Sequence, residues 1–144
     1  GRLSQYKMIR ALLDTNVVLD YALEREHFVE AASLVMDAHR NKRFDGFVSA
    51  ITPLNVFYIA RHFRGREEAR LLVQSLLQRF EICPADRNVL QKAMQLHMDD
   101  YEDAVQVTCA LAAQMDVIIT RDLKDYVNSP MRAISPAEFL QELA

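Results

Sequence analysis

Two spacings of apolar residues alternate along this chain. Met8–Leu13 (MIRALL) is a short apolar run with one Arg inside it and reads as a strand. Phe44–Ala50, Phe80–Cys83 (stopped by Pro84), Val117–Thr120 and Ala133–Ile134 read the same way. Val117–Thr120 (VIIT) has the β-branched run of a central parallel strand. Between these runs the spacing becomes helical. Helices are predicted over Val17–Leu23, His27–Arg40, Glu67–Phe80, Asn88–Met98 and Glu102–Met115. In His27–Arg40 the apolar set is Phe28, Ala31, Ala32, Leu34, Val35 and Ala38. In Glu67–Phe80 the inward positions are Leu71, Leu72, Leu76 and Leu77. Glu102–Met115 is apolar on nearly all sides, which predicts a buried helix.

Turn chemistry places two more helices. Thr52-Pro53-Leu54-Asn55 puts Thr52 at the N-cap, Pro53 at the first helical position and Asn55 at N3, with Gly65 ending the helix. Ser135-Pro136 opens a C-terminal helix in the same way. Strands alternating with helices predict an α/β fold: three layers, α/β/α, around a mostly parallel, Rossmann-like sheet. One domain spans 1–144, and 1–7 reads as a tail or an expression scar, with Gly1 where Met would stand.

Composition narrows the chemistry. At 144 residues, 51% of them apolar and with only 3 Gly and 4 Pro, the chain folds around a real core. A net charge of -3 excludes a bulk basic grip on nucleic acid but leaves room for a local basic patch. Cys83 and Cys109 form no CxxC pattern, and the four His are scattered without HExxH, so no zinc site or disulfide framework is signalled. No apolar run reaches the length of a membrane span, and the N-terminus lacks a signal-peptide stretch. The expected location is the cytoplasm.

The acids carry the chemistry. In parallel sheets ligands bind beyond the carboxyl ends of the strands. Asp14 directly follows MIRALL and Asp122 lies two residues after VIIT. Asp100 and Asp103 open the buried helix, and Asn55 falls in the first turn after FDGFVSA. If these ends converge, carboxylates crowd together and raise one another's pKa, and a hard divalent cation resolves the repulsion. Such a cation activates water and offsets charge on a phosphoryl oxygen.

Three pieces in order resemble the PIN-domain family. Ala11-Leu12-Leu13-Asp14-Thr15-Asn16-Val17-Val18-Leu19-Asp20 is similar to its opening motif. Asp100-Tyr101-Glu102-Asp103-Ala104 with the buried helix, then Val117-Ile118-Ile119-Thr120-Arg121-Asp122, is similar to its second half. Leu123-Lys124-Asp125-Tyr126 fits a bacterial branch. The resemblance runs from about Ile9 to the C-terminus. It implies a metal-dependent nuclease, usually acting on RNA, and often the dimeric toxin of a toxin–antitoxin pair of the VapC type. It implies Asp14, Asp103 and Asp122 as catalytic, metal-binding acids for Mg²⁺ or Mn²⁺. Asn16 and Thr120 match supporting positions, and Asp100 and Asp125 an outer shell. An activated water would attack the scissile phosphate in line and leave a 5′-phosphate and a 3′-hydroxyl. RNA, an antitoxin and a second copy are the implied partners.

One position departs from the family pattern. Where relatives usually carry a Glu in the helix after the second strand, this chain has Asn55, and no acid lies between Asp45 and Glu67. A second function class follows: a PIN fold of weak or no catalysis that binds RNA or a protein. A third, a phosphatase with an Asp nucleophile, lacks the second Asp expected two residues on, where Asn16 stands, and a placed Lys.

Plainer roles compete at each position. Asp14 could cap the helix at Val17, Asp122 a short helix through Tyr126, and Asp103 could complement a helix dipole. Thr120 could be an ordinary strand residue, and Asn55 could only support a helix start. Asp20 fits a local salt bridge or surface contact better than a metal, and Asp125 fits a solvated site. Arg61, Arg64, Arg66 and Arg70 form either a solvated surface or an electrostatic path for RNA phosphates. The spacing of Phe57, Tyr58 and Phe63 suits core packing over base stacking, and Met94 and Met98 read as core fillers. Cys109 reads as buried and inert.

Overall fold

The computed structural model describes residues 7–144. The tail expected over 1–7 therefore lies, except for Lys7, outside the described residues. Five strands form one sheet: β1 (Arg10–Leu13), β2 (Asp45–Ser49), β3 (Glu81–Cys83), β4 (Val117–Ile119) and β5 (Ala133–Ile134). Their order is β3-β2-β1-β4-β5, and every neighbouring pair is parallel. Among the described residues, seven α-helices connect or follow them: α1 (Thr15–Ala22), α2 (Val29–Arg40), α3 (Thr52–Arg64), α4 (Arg66–Arg79), α5 (Arg87–Ala93), α6 (Tyr101–Ala112) and α7 (Pro136–Leu143). A 3-10 turn (Leu123–Tyr126) separates β4 from β5.

The period-two geometry of a strand divides the core between two faces. Ala11, Leu13, Val117 and Ile119 point toward the side covered by α1–α4 and α7, where Phe44 and Phe139 meet edge-on. Leu12 and Ile118 point to the other side, against α5, α6 and Tyr126. The sheet is thus the middle of three layers, as predicted. The chain runs from β1 outward to β3, then returns to place β4 on the other side of β1. The order reverses between β1 and β4, the point where parallel sheets open a crevice at their carboxyl ends.

Several local expectations are corrected. Thr52 is not the N-cap of α3 but its first residue, and Ile51 precedes it without a side-chain cap. The Thr52 hydroxyl is instead buried and bonded to Thr15 Oγ1 at 2.9 Å. Asn55 therefore falls one position later than N3. Helix α5 ends at Ala93, not Met98, because the last turn tightens: Gln95 N donates to Lys92 O and Leu96 N to Ala93 O. Met94 is consequently 72% exposed, while Met98 packs against the second core. In α4 the inward residues are Ala69, Leu72, Val73 and Leu76, and Leu71 and Leu77 face solvent. Tyr58 and Phe63 are exposed as well. Helices α3 and α4 form a hairpin with only part of its surface on the sheet, so apolar residues on its outer side stay in water. Gly65 makes the joint at φ 84°, a left-handed conformation that favours glycine.

Candidate active site

Asp14 is the first residue after β1, and its backbone N–H donates to Ile119 O of β4 at 2.9 Å. That bond draws the ends of β1 and β4 together. Asp14 occupies the N-cap position of α1, yet its side chain makes no capping hydrogen bond. The carboxylate is turned inward and is 4% exposed. Thr120 Oγ1 donates to its Oδ2 at 2.8 Å and Gln106 Nε2 to its Oδ1 at 2.9 Å. Burial raises its pKa, the two donors pull it back, and the charge of Asp122 raises it further.

Gln106 organises the site from below. It is fully buried in α6, in the middle of the run Ala104–Ala110 in which every residue is buried. Its Oε1 accepts from Thr15 N (3.3 Å) and Thr15 Oγ1 (3.4 Å). Its Nε2 also donates to the Tyr126 hydroxyl at 3.3 Å, and that hydroxyl donates to Asp103 Oδ1 at 3.3 Å. One amide thus connects Asp14 to Asp103 through Tyr126. Burial and the surrounding carboxylates push the Tyr126 pKa far up, so the phenol stays a donor.

Asp103 stands in the first turn of α6, where Asp100 takes the capping role: Asp100 Oδ1 accepts from Asp103 N at 2.9 Å. The Asp103 carboxylate is left to the site. Burial, with the charges of Asp14, Asp100 and Asp125 adding and the Tyr126 hydrogen bond opposing, raises its pKa to about 7. Asp122 sits before the 3-10 turn without capping it. Its Oδ2 accepts from Asn16 Nδ2 at 3.1 Å and its Oδ1 lies 3.3 Å from Arg121 Nη1. Thr120 Oγ1 fixes the turn by accepting from Asp122 N at 3.0 Å.

The sequence-based set therefore divides. Asp14, Asp103, Asp122, Asn16 and Thr120 share one network or one field. Asp100 is an exposed cap and Asp125 an exposed neighbour, each acting on Asp103 by charge. Asn55 stands beside Glu102, and its amide lowers the pKa that burial and the charges of Asp100 and Asp14 raise. Arg61, Arg66 and Arg70 are exposed on the α3–α4 hairpin, and Arg64 bonds to Leu23 O. Asp20 is no surface contact: it is buried and pairs with both Arg121 (2.7 Å) and Arg25 (3.4 Å).

Sequence reasoning missed Gln106, Tyr126, Glu102, Arg25 and Arg121. Glu102, Arg121 and Tyr126 stand inside the motifs quoted above, and Gln106 carried a signal as a lone amide inside an apolar helix. Cys109 is buried as expected, with its thiol pKa pushed up to about 12 by burial.

Among the described residues, no three His, Cys, Asp or Glu side chains stand close enough to enclose an ion by themselves. The donor set nonetheless fits a hard divalent cation. It is oxygen only, the charge of Asp122 raises the pKa of Asp14 and that of Asp14 raises the pKa of Asp103, and Mg²⁺ needs one or two carboxylates and keeps several waters.

The family model described as PIN domain matches residues 10–124. The chain belongs to the PIN-domain family. Solved structures similar to this PIN domain include a toxin–antitoxin complex from Klebsiella pneumoniae, at 21% identity and TM-score 0.65, covering 88% of this chain and 97% of that one. A DNA-bound VapBC from Salmonella typhimurium is 19% identical at TM-score 0.68, covering 90% and 99%. A sarcin-ricin loop cleaving toxin from Mycobacterium tuberculosis is 10% identical at TM-score 0.63, covering 75% and 86%. No curated protein sequence matches the chain. None of the helices among the described residues is long and apolar enough to cross a membrane.

The raised pKa of Asp103 has a measurable consequence without metal. The folded carboxyl holds its proton up to about pH 7, whereas the unfolded one releases it in the ordinary carboxylate range. Between those values the folded state binds more protons, so stability falls as pH rises. Asp14 acts in the same direction. In chelator, the melting temperature is expected to be higher at pH 5 than at pH 8. After solvent screening of a half-buried group the effect is on the order of 1 kcal/mol, or about 2–4 °C. A Tm that rises over this window contradicts the assigned environment.

Proposed function

We propose that this PIN domain is a metal-dependent endoribonuclease in which Asp14, Asp103 and Asp122 hold one or two Mg²⁺ or Mn²⁺ ions. The observation that carries the reading is the inward carboxylate of Asp14, buried at the reversal point of the sheet and electrostatically coupled to Asp122 and Asp103. A buried acid whose pKa is raised by burial and by the charge of Asp122 is costly to stability, and such cost collects at functional sites. When bound, the cation supplies Lewis-acid activation of water and neutralises charge on the phosphate.

The protein's own groups do the rest. Thr120 and Gln106 hold the Asp14 carboxylate in one rotamer, and Asn16 and Arg121 hold that of Asp122. Tyr126 gives Asp103 a hydrogen bond and keeps its own proton. The test is cleavage of a panel of single-stranded and structured RNAs with Mn²⁺, with Mg²⁺ and with chelator. Cutting is expected with either metal and none with chelator. Metal-independent cutting, or no cutting by folded protein, overturns the reading.

A role as the toxin of a toxin–antitoxin pair in the cytoplasm, with an antitoxin partner and a dimeric state, is part of this proposal. The similar solved structures support it, one of them being a toxin–antitoxin complex by name and another a toxin. Light scattering tests the dimer: a monomer at high concentration counts against it.

Asn55 favours a second reading, a fold of weak catalysis that binds RNA or protein. Its setting answers that concern in part, since Glu102 brings a carboxylate to the same amide. Asn55→Glu would set two acids face to face. We expect it to change cleavage by less than about tenfold, or 1.4 kcal/mol. A gain well beyond that in the rate assay favours the weak-catalysis reading.

A further inference from the structure

Beside the carboxylates, the ends of α1 and α3 leave a cleft of about 380 Å³ lined by Leu23, Arg25, Phe63 and Arg64. Arg64 Nη2 donates to Leu23 O at 3.1 Å and Arg64 Nη1 lies 3.6 Å from Glu68 Oε1, which holds the guanidinium over the end of α1. Arg25 reaches back toward the site. Its Nη1 donates to Asn16 Oδ1 at 3.3 Å and to Asp20 Oδ1 at 3.4 Å. Asn16 in turn donates to Asp122. The cleft is therefore two hydrogen bonds from a candidate metal ligand. Arg25 Nε and Nη2 make no hydrogen bond among the described residues. Phe63 is 65% exposed at the rim, with the His62 ring edge-on to it at 4.9 Å.

We propose that this cleft is a nucleotide subsite that takes one residue of single-stranded RNA next to the scissile phosphate. The base stacks on Phe63, and the phosphate lies between Arg25 and Arg64. The proposal rests on the nuclease reading of the adjacent carboxylates. An acidic centre in a chain of net charge -3 repels a polyanion, so cations are needed at its edge. A planar guanidinium fork matches two phosphate oxygens, and Arg25 has donors left for them. Stacking on a phenyl ring accepts any base, which gives affinity without sequence choice. A duplex shows no open base face, so the subsite selects single strands. A peptide segment would meet two charged groups among four lining residues, which favours phosphate over an apolar side chain.

The test uses the full chain carrying Asp14→Asn, in chelator, with a fluorescein-labelled single-stranded RNA of mixed sequence and fluorescence anisotropy as readout. Phe63→Ala is expected to weaken binding about tenfold, as loss of one stacked base does. Phe63→Leu, which keeps apolar surface without a ring, should weaken it similarly, and Phe63→Tyr should restore it. Arg64→Ala should lower the slope of log Kd against log salt by about 0.7, the share of one phosphate on a single strand. Duplex RNA should bind equally to all Phe63 variants. Affinity of Phe63→Ala within about twofold of the parent overturns the subsite, as does a parent that binds no RNA. Cleavage by the unsubstituted chain separates the two claims. Cutting with unchanged Phe63→Ala affinity refutes the subsite alone, and ring-dependent binding without cutting refutes the nuclease alone.

Discussion

Asp14→Asn is expected to abolish RNA cleavage while leaving the fold intact. The change removes a charge and keeps the shape. Gln106 Nε2 still meets an oxygen, and Thr120 Oγ1 can accept where it donated. The buried carboxylate carries a desolvation cost, which its raised pKa records, so the neutral amide melts no lower than the parent without metal. Activity behaves differently. An anionic ligand at the deepest point of the site is lost, and with it several kcal/mol of charge stabilisation, so rates should fall on the order of a thousandfold. A second readout needs no turnover. Mn²⁺ should raise the melting temperature of the parent, because a ligand bound to the folded state stabilises it, and should leave that of Asp14→Asn unchanged. Equal Mn²⁺ stabilisation of both proteins would remove Asp14 from the metal site.

The largest loss of stability is expected at Asp20. Its carboxylate is buried, and Arg121 and Arg25 approach it from two sides. Arg121 also lies over the Phe28 ring at 4.1 Å and reaches Asp122. Asp20→Ala leaves two partly buried guanidiniums without their shared carboxylate. Breaking a fully buried pair costs about 3–5 kcal/mol, and both arginines keep some contact with water, so about 2–4 kcal/mol is expected here. For a chain of this length that is on the order of 10 °C in thermal unfolding. Arg121, freed from Asp20, has Asp122 as its remaining partner and competes with a cation for it, so metal affinity should fall as well. A variant that melts within about 1 kcal/mol of the parent would show that the pair is no anchor.

Much of this architecture was legible because strands buried on both faces leave continuous apolar runs. MIRALL and VIIT marked β1 and β4, and Asp14 and Asp122 follow them at once and after one intervening residue. The order of the strands was not legible, since pairing joins residues such as Leu12 and Ile118 that the chain keeps far apart. The support of the site was hidden for the same reason. Gln106 meets Asp14 across 92 positions and Arg121 meets Asp20 across 101. Amphipathic spacing also overstated burial in the α3–α4 hairpin. Leu71, Leu77, Tyr58 and Phe63 repeat as core residues do, yet they lie on the side of the hairpin that no other element covers, and spacing alone carries no information on that.

The sheet has a further consequence at its margins. Its two outermost strands, β3 and β5, span three and two residues. A ladder that brief offers an incoming chain too few free amides and carbonyls to register against, so backbone recruitment and fibrillar stacking find no template. Among the described residues the sheet edges thus leave recognition to side chains, whose shapes and charges discriminate between partners where a bare backbone rim would not.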